Sequence, residues 1–211
     1  MVRVKICGIT KPEDAKLAAD LGAYAIGLNF YENSARCVTP FAASEVIRRL
    51  PPFIAIVGVF VNWSNAPIVA LCKALRLSAA QLHGDETPQV VDAVARRLPV
   101  IKALPIGQGG TAPDFSRYRS ASAFLLDSPA SGQYGGTGTT GNWHMARVAA
   151  QTQRIILAGG LTPENVGEAI RIVRPYAVDV ASGVELRPGK KDPAKLRSFF
   201  DEVARASREI S

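Results

Sequence analysis

The stretch RIILAGGLTPENVGEAIRIVRPYAVDVASG, residues 154–183, decides the fold. It opens on an apolar run, RIILAG (154–159), and breaks at Gly159–Gly160. Thr162–Pro163 then supplies a cap followed by proline at the first helical position, and a helical pattern runs over 163–173. A second apolar run, AVDVAS (177–182), ends at Gly183. Both runs are short and almost continuously hydrophobic, as strands buried on both faces of a parallel sheet are. The stretch therefore reads as one strand–helix–strand unit.

The same unit repeats in both directions along the chain. Strand-like runs stand at VRVKIC (2–7), YAIGLNF (24–30), FIAIVGVFV (53–61), AAQLH (79–83), VIKAL (100–104) and AFLLD (123–127). Helical patterns are expected at 12–21, 40–50, 64–75, 87–97, 140–150 and 193–208. Thr10 and Thr39, each close before a proline, repeat the opening device of Thr162. The fifth crossover, GQGGTAPDFSRYRS (107–120), is rich in Gly and Ser and has room only for a short helix. Eight strands in 211 residues leave two architectures, a closed eight-stranded barrel near its minimum size and an open doubly wound sheet. An open dinucleotide-binding sheet calls for GxGxxG after its first strand, and here that strand runs into CGIT (7–10). No linker-like stretch divides the chain, so residues 1–211 read as one domain.

Bulk properties narrow the function. The longest apolar runs are strand-sized, well short of the ~18 residues that suggest a membrane span. The N-terminus enters a strand pattern at once, and the expected location is the cytoplasm. Three scattered cysteines, Cys7, Cys37 and Cys72, argue against a disulfide framework. Two distant histidines, His83 and His144, offer no paired ligand spacing for a metal. The formal net charge is +7, but the basic residues are spread out and lack interleaved aromatics. That pattern speaks against a nucleic-acid partner and suits an anionic small molecule.

In a barrel the chemistry gathers at the C-terminal ends of the strands. Polar residues at those ends include Cys7, Asn33, Ser34, Arg36, Asn62, His83 within QLHGDE (81–86), Lys102 and Asp127. The turns at Gly159–Gly160 and Ser182–Gly183 would expose backbone N–H groups, and a short helix following 183 would add its dipole. Together they are expected to cradle a phosphate. The segment GQYGGTGTTG (132–141), which includes Gly136, lacks a nucleotide-loop pattern and reads as a mobile loop over the site. On a closed rim, Asp127 lies on one side of the phosphate turns and Cys7 on the other, with Arg36 beyond Cys7. Taken singly, Cys7 suits a small buried hydrophobe and Asp127 a helix or loop anchor, so position alone leaves their roles open.

Eight stretches in order carry a resemblance: KICGIT (5–10), GAYAIGLNFYENSAR (22–36), VGVFVN (57–62), QLHGDE (81–86), FLLDS (124–128), GGTG (135–138), LAGGLTPENV (157–166) and VDVASGVE with PGKKD (178–192). From end to end the chain resembles the phosphoribosylanthranilate isomerases of tryptophan biosynthesis. The resemblance implies a (βα)8 TIM barrel, a phosphosugar substrate and no cofactor. It implies Cys7 as general base, Asp127 as general acid, Arg36 on the substrate carboxylate, and phosphate at Gly159, Gly160, Ser182 and Gly183. His83 and Gly136 are expected at the rim or its loop. The implied reaction is an Amadori rearrangement. Two departures stand out: Cys37 replaces an aromatic residue after Arg36, and GGTG continues as TTGNW rather than with Lys and Phe. A related histidine-pathway isomerase would place a carboxylate where Cys7 stands, and a non-catalytic phosphosugar-binding barrel would need neither Cys7 nor Asp127. The chain reads as a monomer or a homodimer.

Overall fold

The computed structural model describes residues 1–106, 113–127 and 142–210. Eight parallel strands close into a barrel in sequence order: β1 (Arg3–Ile6), β2 (Ala25–Asn29), β3 (Ala55–Phe60), β4 (Ala79–Leu82), β5 (Val100–Pro105), β6 (Ala123–Asp127), β7 (Ile155–Leu157) and β8 (Ala177–Val180). Closure rests on pairing of β1 with β8, with Lys5 opposite Asp179 and Ile6 opposite Val180. The open-sheet alternative is thereby excluded. Seven helices, α1 (Pro12–Asp20), α2 (Pro40–Ile47), α3 (Asn65–Ala74), α4 (Pro88–Ala95), α5 (Trp143–Ala150), α6 (Val166–Val173) and α7 (Pro193–Glu209), are described around it. None of the described helices is long and apolar enough to cross a membrane.

The alternation of side chains along each strand sorts the core into two shells. Val4, Ile6, Ile26, Leu28, Leu126 and Leu157 pack outward with Val46, Ile68, Val94, Ile170 and Phe199 of the helices. The residues between them in sequence, among them Ala103, Ala123, Leu125, Ile156 and Ala177, fill the barrel itself. Lys102 falls on the outward parity. Sequence reading counts it among the mouth residues, but it is buried and its Nζ donates to Glu86 Oε2 at 2.9 Å and to the Gly84 carbonyl at 2.7 Å. The barrel closes at its lower end with stacked cations and rings, Arg3 lying over Tyr176 at 4.4 Å and over Tyr24 at 5.3 Å.

Several local expectations need correction. Thr10 does not cap α1; its hydroxyl donates instead to the Gly189 carbonyl. Helix α6 begins at Val166 rather than at residue 163. Asn165 explains the delay: its side chain accepts from Thr162 N–H and donates to the Gly160 carbonyl, closing an extra turn before the helix. The described part of the fifth crossover does hold a short helix as expected, a 3-10 turn over Phe115–Tyr118, opened by Asp114 accepting from Ser116 N–H. In place of the short helix expected after 183 stands a single 3-10 turn, Ser182–Val184. It leads into a hairpin of β9 (Glu185–Arg187) and β10 (Lys190–Lys191). The hairpin forms because Glu185 and Lys191, opposite each other in its register, pair and bury together. Gly136 and the loop 132–141 lie outside the described residues.

Candidate active site

One cavity of about 530 Å³ opens at the C-terminal ends of the strands. Cys7, Arg36, His83, Asp127, Gly159, Gly160 and Ser182 all line it, so the structure brings together almost every residue singled out in the sequence. Asn62, Lys102 and Gly183 are not in its lining: Asn62 bonds the Asp85 N–H and Glu86 instead, and Lys102 points outward. At Gly183 a Cβ would stand 1.9 Å from the Leu161 carbonyl oxygen. Only a residue without a side chain lets the β8 turn press against the β7 turn.

Those two turns form one floor. Gly159 and Gly160 hold φ of 81° and 63°, left-handed values that glycine adopts without strain. Among the described residues neither spends its N–H on a backbone acceptor. A phosphate suits such a floor because backbone N–H groups at close approach replace its hydration.

Cys7 follows β1 and is tied down on both sides. Its N–H donates to the Val180 carbonyl at 2.8 Å, and its own carbonyl accepts from Lys191 Nζ at 2.7 Å. The remaining donors of Lys191 reach the Ala181 carbonyl at 3.0 Å and Glu185 Oε1 at 2.9 Å, so one ammonium clamps the ends of β1 and β8. Room for the thiol comes from β2. A Cβ on Gly27 would meet Cys7 Sγ at 2.8 Å and Lys5 Nζ at 3.1 Å. Burial pushes the Cys7 thiol above its ordinary value; the Lys5 ammonium opposes that shift, Asp179 adds to it, and the net direction is up. Lys5 itself is held in a buried pair with Asp179 at 2.9 Å. Burial lowers its pKa, but the Asp179 and Cys7 charges outweigh burial and raise it, so the cation beside the thiol persists.

Arg36 crosses directly over Gly8, where a Cβ would lie 2.4 Å from its Cδ. It reaches the cavity with one edge of its fork already committed. Nε and Nη2 grip Glu185 at 3.0 and 2.8 Å. Nη1 has no hydrogen-bond partner among the described residues, so the end formed by Nη1 and the second Nη2 hydrogen is the part left for a ligand. Burial acts to raise the Glu185 pKa, but its bonds to Arg36 and Lys191 win and hold the carboxyl below its usual range.

Asp127 ends β6 across the cavity. Its carbonyl accepts from Ile106 N–H at 2.8 Å, and its Oδ2 lies 3.1 Å from His83 Nε2. His83 therefore belongs to the acid's surroundings rather than to the outer rim. Its Nδ1 meets Gln81 Nε2 at 2.8 Å. Sequence reading missed Lys5, Gly27, Gln81, Asp179, Glu185 and Lys191. The signal was present for some: Lys5 with Cys7, and Gln81 with His83, share strand parity. Among the described residues no group of three or more His, Cys, Asp or Glu is arranged to hold a metal ion.

The sequence profile of the N-(5'phosphoribosyl)anthranilate (PRA) isomerase family matches residues 4–202. The chain is 51% identical over 211 residues to the N-(5'-phosphoribosyl)anthranilate isomerase of Pelobacter propionicus, covering 100% of this chain and 99% of the relative. It superposes on the crystal structure of the Thermus thermophilus phosphoribosyl anthranilate isomerase with a TM-score of 0.88 at 43% identity, covering 97% of this chain and 99% of that one. A further phosphoribosyl anthranilate isomerase, solved in complex with reduced 1-(o-carboxyphenylamino)-1-deoxyribulose 5-phosphate, matches with a TM-score of 0.85 at 39% identity, covering 97% of this chain and 100% of that one. With the barrel, the double-glycine floor and the Cys7–Asp127 cavity in place, the chain belongs to the N-(5'-phosphoribosyl)anthranilate isomerase family.

Proposed function

We propose that this chain rearranges N-(5'-phosphoribosyl)anthranilate to 1-(2-carboxyphenylamino)-1-deoxyribulose 5-phosphate, with Cys7 as base and Asp127 as acid. The observation that carries the reading is the shared cavity: a thiol and a carboxyl line it together with the two phosphate-type turns and an arginine end. The phosphate sits on Gly159, Gly160 and Ser182, with Gly183 allowing the turns to meet. The anthranilate carboxylate takes the Nη1–Nη2 end of Arg36, because Glu185 occupies the other edge. Held at both ends, the ribose lies between Cys7 and Asp127.

Asp127 gives its proton to the furanose ring oxygen. The C1'–O bond breaks and leaves an iminium at C1'. That cation acidifies the C2' hydrogen, which the Cys7 thiolate removes. The enolamine gains a proton at C1' and releases its 2'-hydroxyl proton, giving the ketone. No atoms are gained or lost overall. The raised Cys7 pKa leaves little thiolate near neutrality, and the neighbouring Lys5 ammonium limits that shortage. The enzyme works in the cytoplasm on this small molecule, as a monomer or homodimer.

A turnover assay with phosphoribosylanthranilate, followed by loss of substrate fluorescence, tests the reading. Rapid turnover is expected. Turnover only of a two-phosphate aminoimidazole ribonucleotide would replace the substrate, and binding without turnover of either would make the chain a phosphosugar-binding barrel.

A further inference from the structure

We infer that Gln81 sets the tautomer of His83, and that His83 thereby directs the acid proton of Asp127 to its other oxygen, Oδ1. Both would be positioning residues, and the inference rests on the reading of Asp127 as the acid.

Gln81 lies on β4, two residues before His83 and on the same inward parity; it is 1% exposed. Its Nε2 stands 2.8 Å from His83 Nδ1, and His83 Nε2 stands 3.1 Å from Asp127 Oδ2. An amide nitrogen only donates, so Nδ1 must present its lone pair. The hydrogen of the neutral ring then resides on Nε2 and is donated to Oδ2. With Oδ2 engaged as an acceptor, the transferable proton belongs on Oδ1.

Rotating the Gln81 amide would reverse every bond in the chain. Oε1 would accept from Nδ1–H, the lone pair would face Asp127, and the carboxyl would spend its proton on the ring. Burial decides between the two. As placed, Gln81 Oε1 is a buried acceptor with no partner among the described residues. Rotated, the whole NH₂ group would be buried there without an acceptor. Unpaired buried N–H groups are rarer than under-satisfied carbonyls. Among the described residues the only hydrogen bond of the Gln81 side chain is the one to His83.

The direct test is ¹⁵N imidazole NMR of the full chain. Its two histidines are separated by a His144→Gln variant. The neutral His83 ring should show the hydrogen on Nε2 and a bare Nδ1. Gln81→Glu puts an acceptor against Nδ1 and should move the hydrogen there. That variant should lose about tenfold or more in kcat with KM little changed, a fraction of the ~10²–10⁴ supplied by acid–base catalysis. Gln81→Leu, which removes the restraint without reversing it, should lose less. In an Asp127→Asn background Gln81→Glu should cost nothing further. A wild-type ring with its hydrogen on Nδ1, or protonated on both nitrogens, overturns the inference, and this holds whether or not any variant folds. An inverted tautomer with unchanged kcat overturns the link to Asp127. Full turnover in Asp127→Asn alone would instead defeat the acid reading and leave the tautomer result standing.

Discussion

At the β1–β8 wall of the cavity the Cys7 thiol sits among charges: Lys5 paired with Asp179, and Lys191 paired with Glu185. At the β4–β6 wall Asp127 meets an imidazole and, behind it, a neutral amide. The contrast fits the roles proposed for the two groups. A buried thiol gains thiolate only where a permanent cation stands close. A carboxyl that must deliver a proton is better served by a neutral donor than by a lysine or arginine, which would favour its ionised form. Among the described residues no such cation is paired with Asp127. On the proposed reading, the two walls separate base from acid by the charge of their neighbours, across the floor assigned to the phosphate.

The largest expected effect comes from removing the acid. Asp127→Asn keeps the shape and a bond to His83, and should lower kcat at least ~100-fold while the fold melts as in the wild type. Wild-type-like turnover would dissolve the contrast between the walls. Loss of the fold instead would make Asp127 a structural anchor.

Arg36→Met should next raise KM by about 10–100-fold with a smaller change in kcat, since a charged hydrogen-bonded pair is worth ~1.5–3 kcal/mol and binds ground and transition states alike. An analogue lacking the carboxylate should show little change. Equal losses on both substrates would mean that Arg36 serves chiefly to hold Glu185 and the β8 hairpin.

Gly183→Ala tests the floor. Its Cβ would be driven to 1.9 Å from the Leu161 oxygen, so the two turns must part. Overpacking of this kind costs about 1–3 kcal/mol, read by denaturant unfolding, and KM should rise about tenfold. Unchanged KM would show that the turns need not touch for phosphate to bind.

The smallest effects are the most specific to the base wall. Lys5 lowers the Cys7 pKa and Asp179 raises it. Lys5→Met should therefore slow alkylation of Cys7 at a fixed mildly alkaline pH, and Asp179→Asn should speed it, each by a few-fold. Shifts of the same sign in both variants would show that burial alone governs the thiol.

Much of this was legible in the sequence because barrel chemistry falls at strand ends, which apolar runs and glycine turns mark. Cys7, Asp127, Gly159 and Gly160 could be placed by counting strands. The partners could not. Glu185 and Lys191 become a clamp only when the hairpin folds back under β1, a contact spanning almost the whole chain. Lys102 shows the opposite error: at the top of β5 it resembled a site residue, and only strand parity sends it outward to Glu86. The occupied edge of Arg36 was likewise invisible, because a fork that suits a substrate carboxylate suits Glu185 equally well.

Alkylation of Cys7 with and without ligand tests most directly the claim that base and acid face one substrate. In a Cys37→Ser background shown to be active, with Cys72 buried on α3, iodoacetamide should place one label per chain on Cys7 and abolish turnover. The rate should climb with pH into a range above that of an ordinary thiol, because the reactive form is the thiolate and its pKa is raised. A reduced product analogue carrying both phosphate and carboxylate should slow labelling strongly, and inorganic phosphate should slow it less, since it fills only the floor. An unlabelled Cys7 under native conditions, or full labelling with turnover intact, would contradict the account.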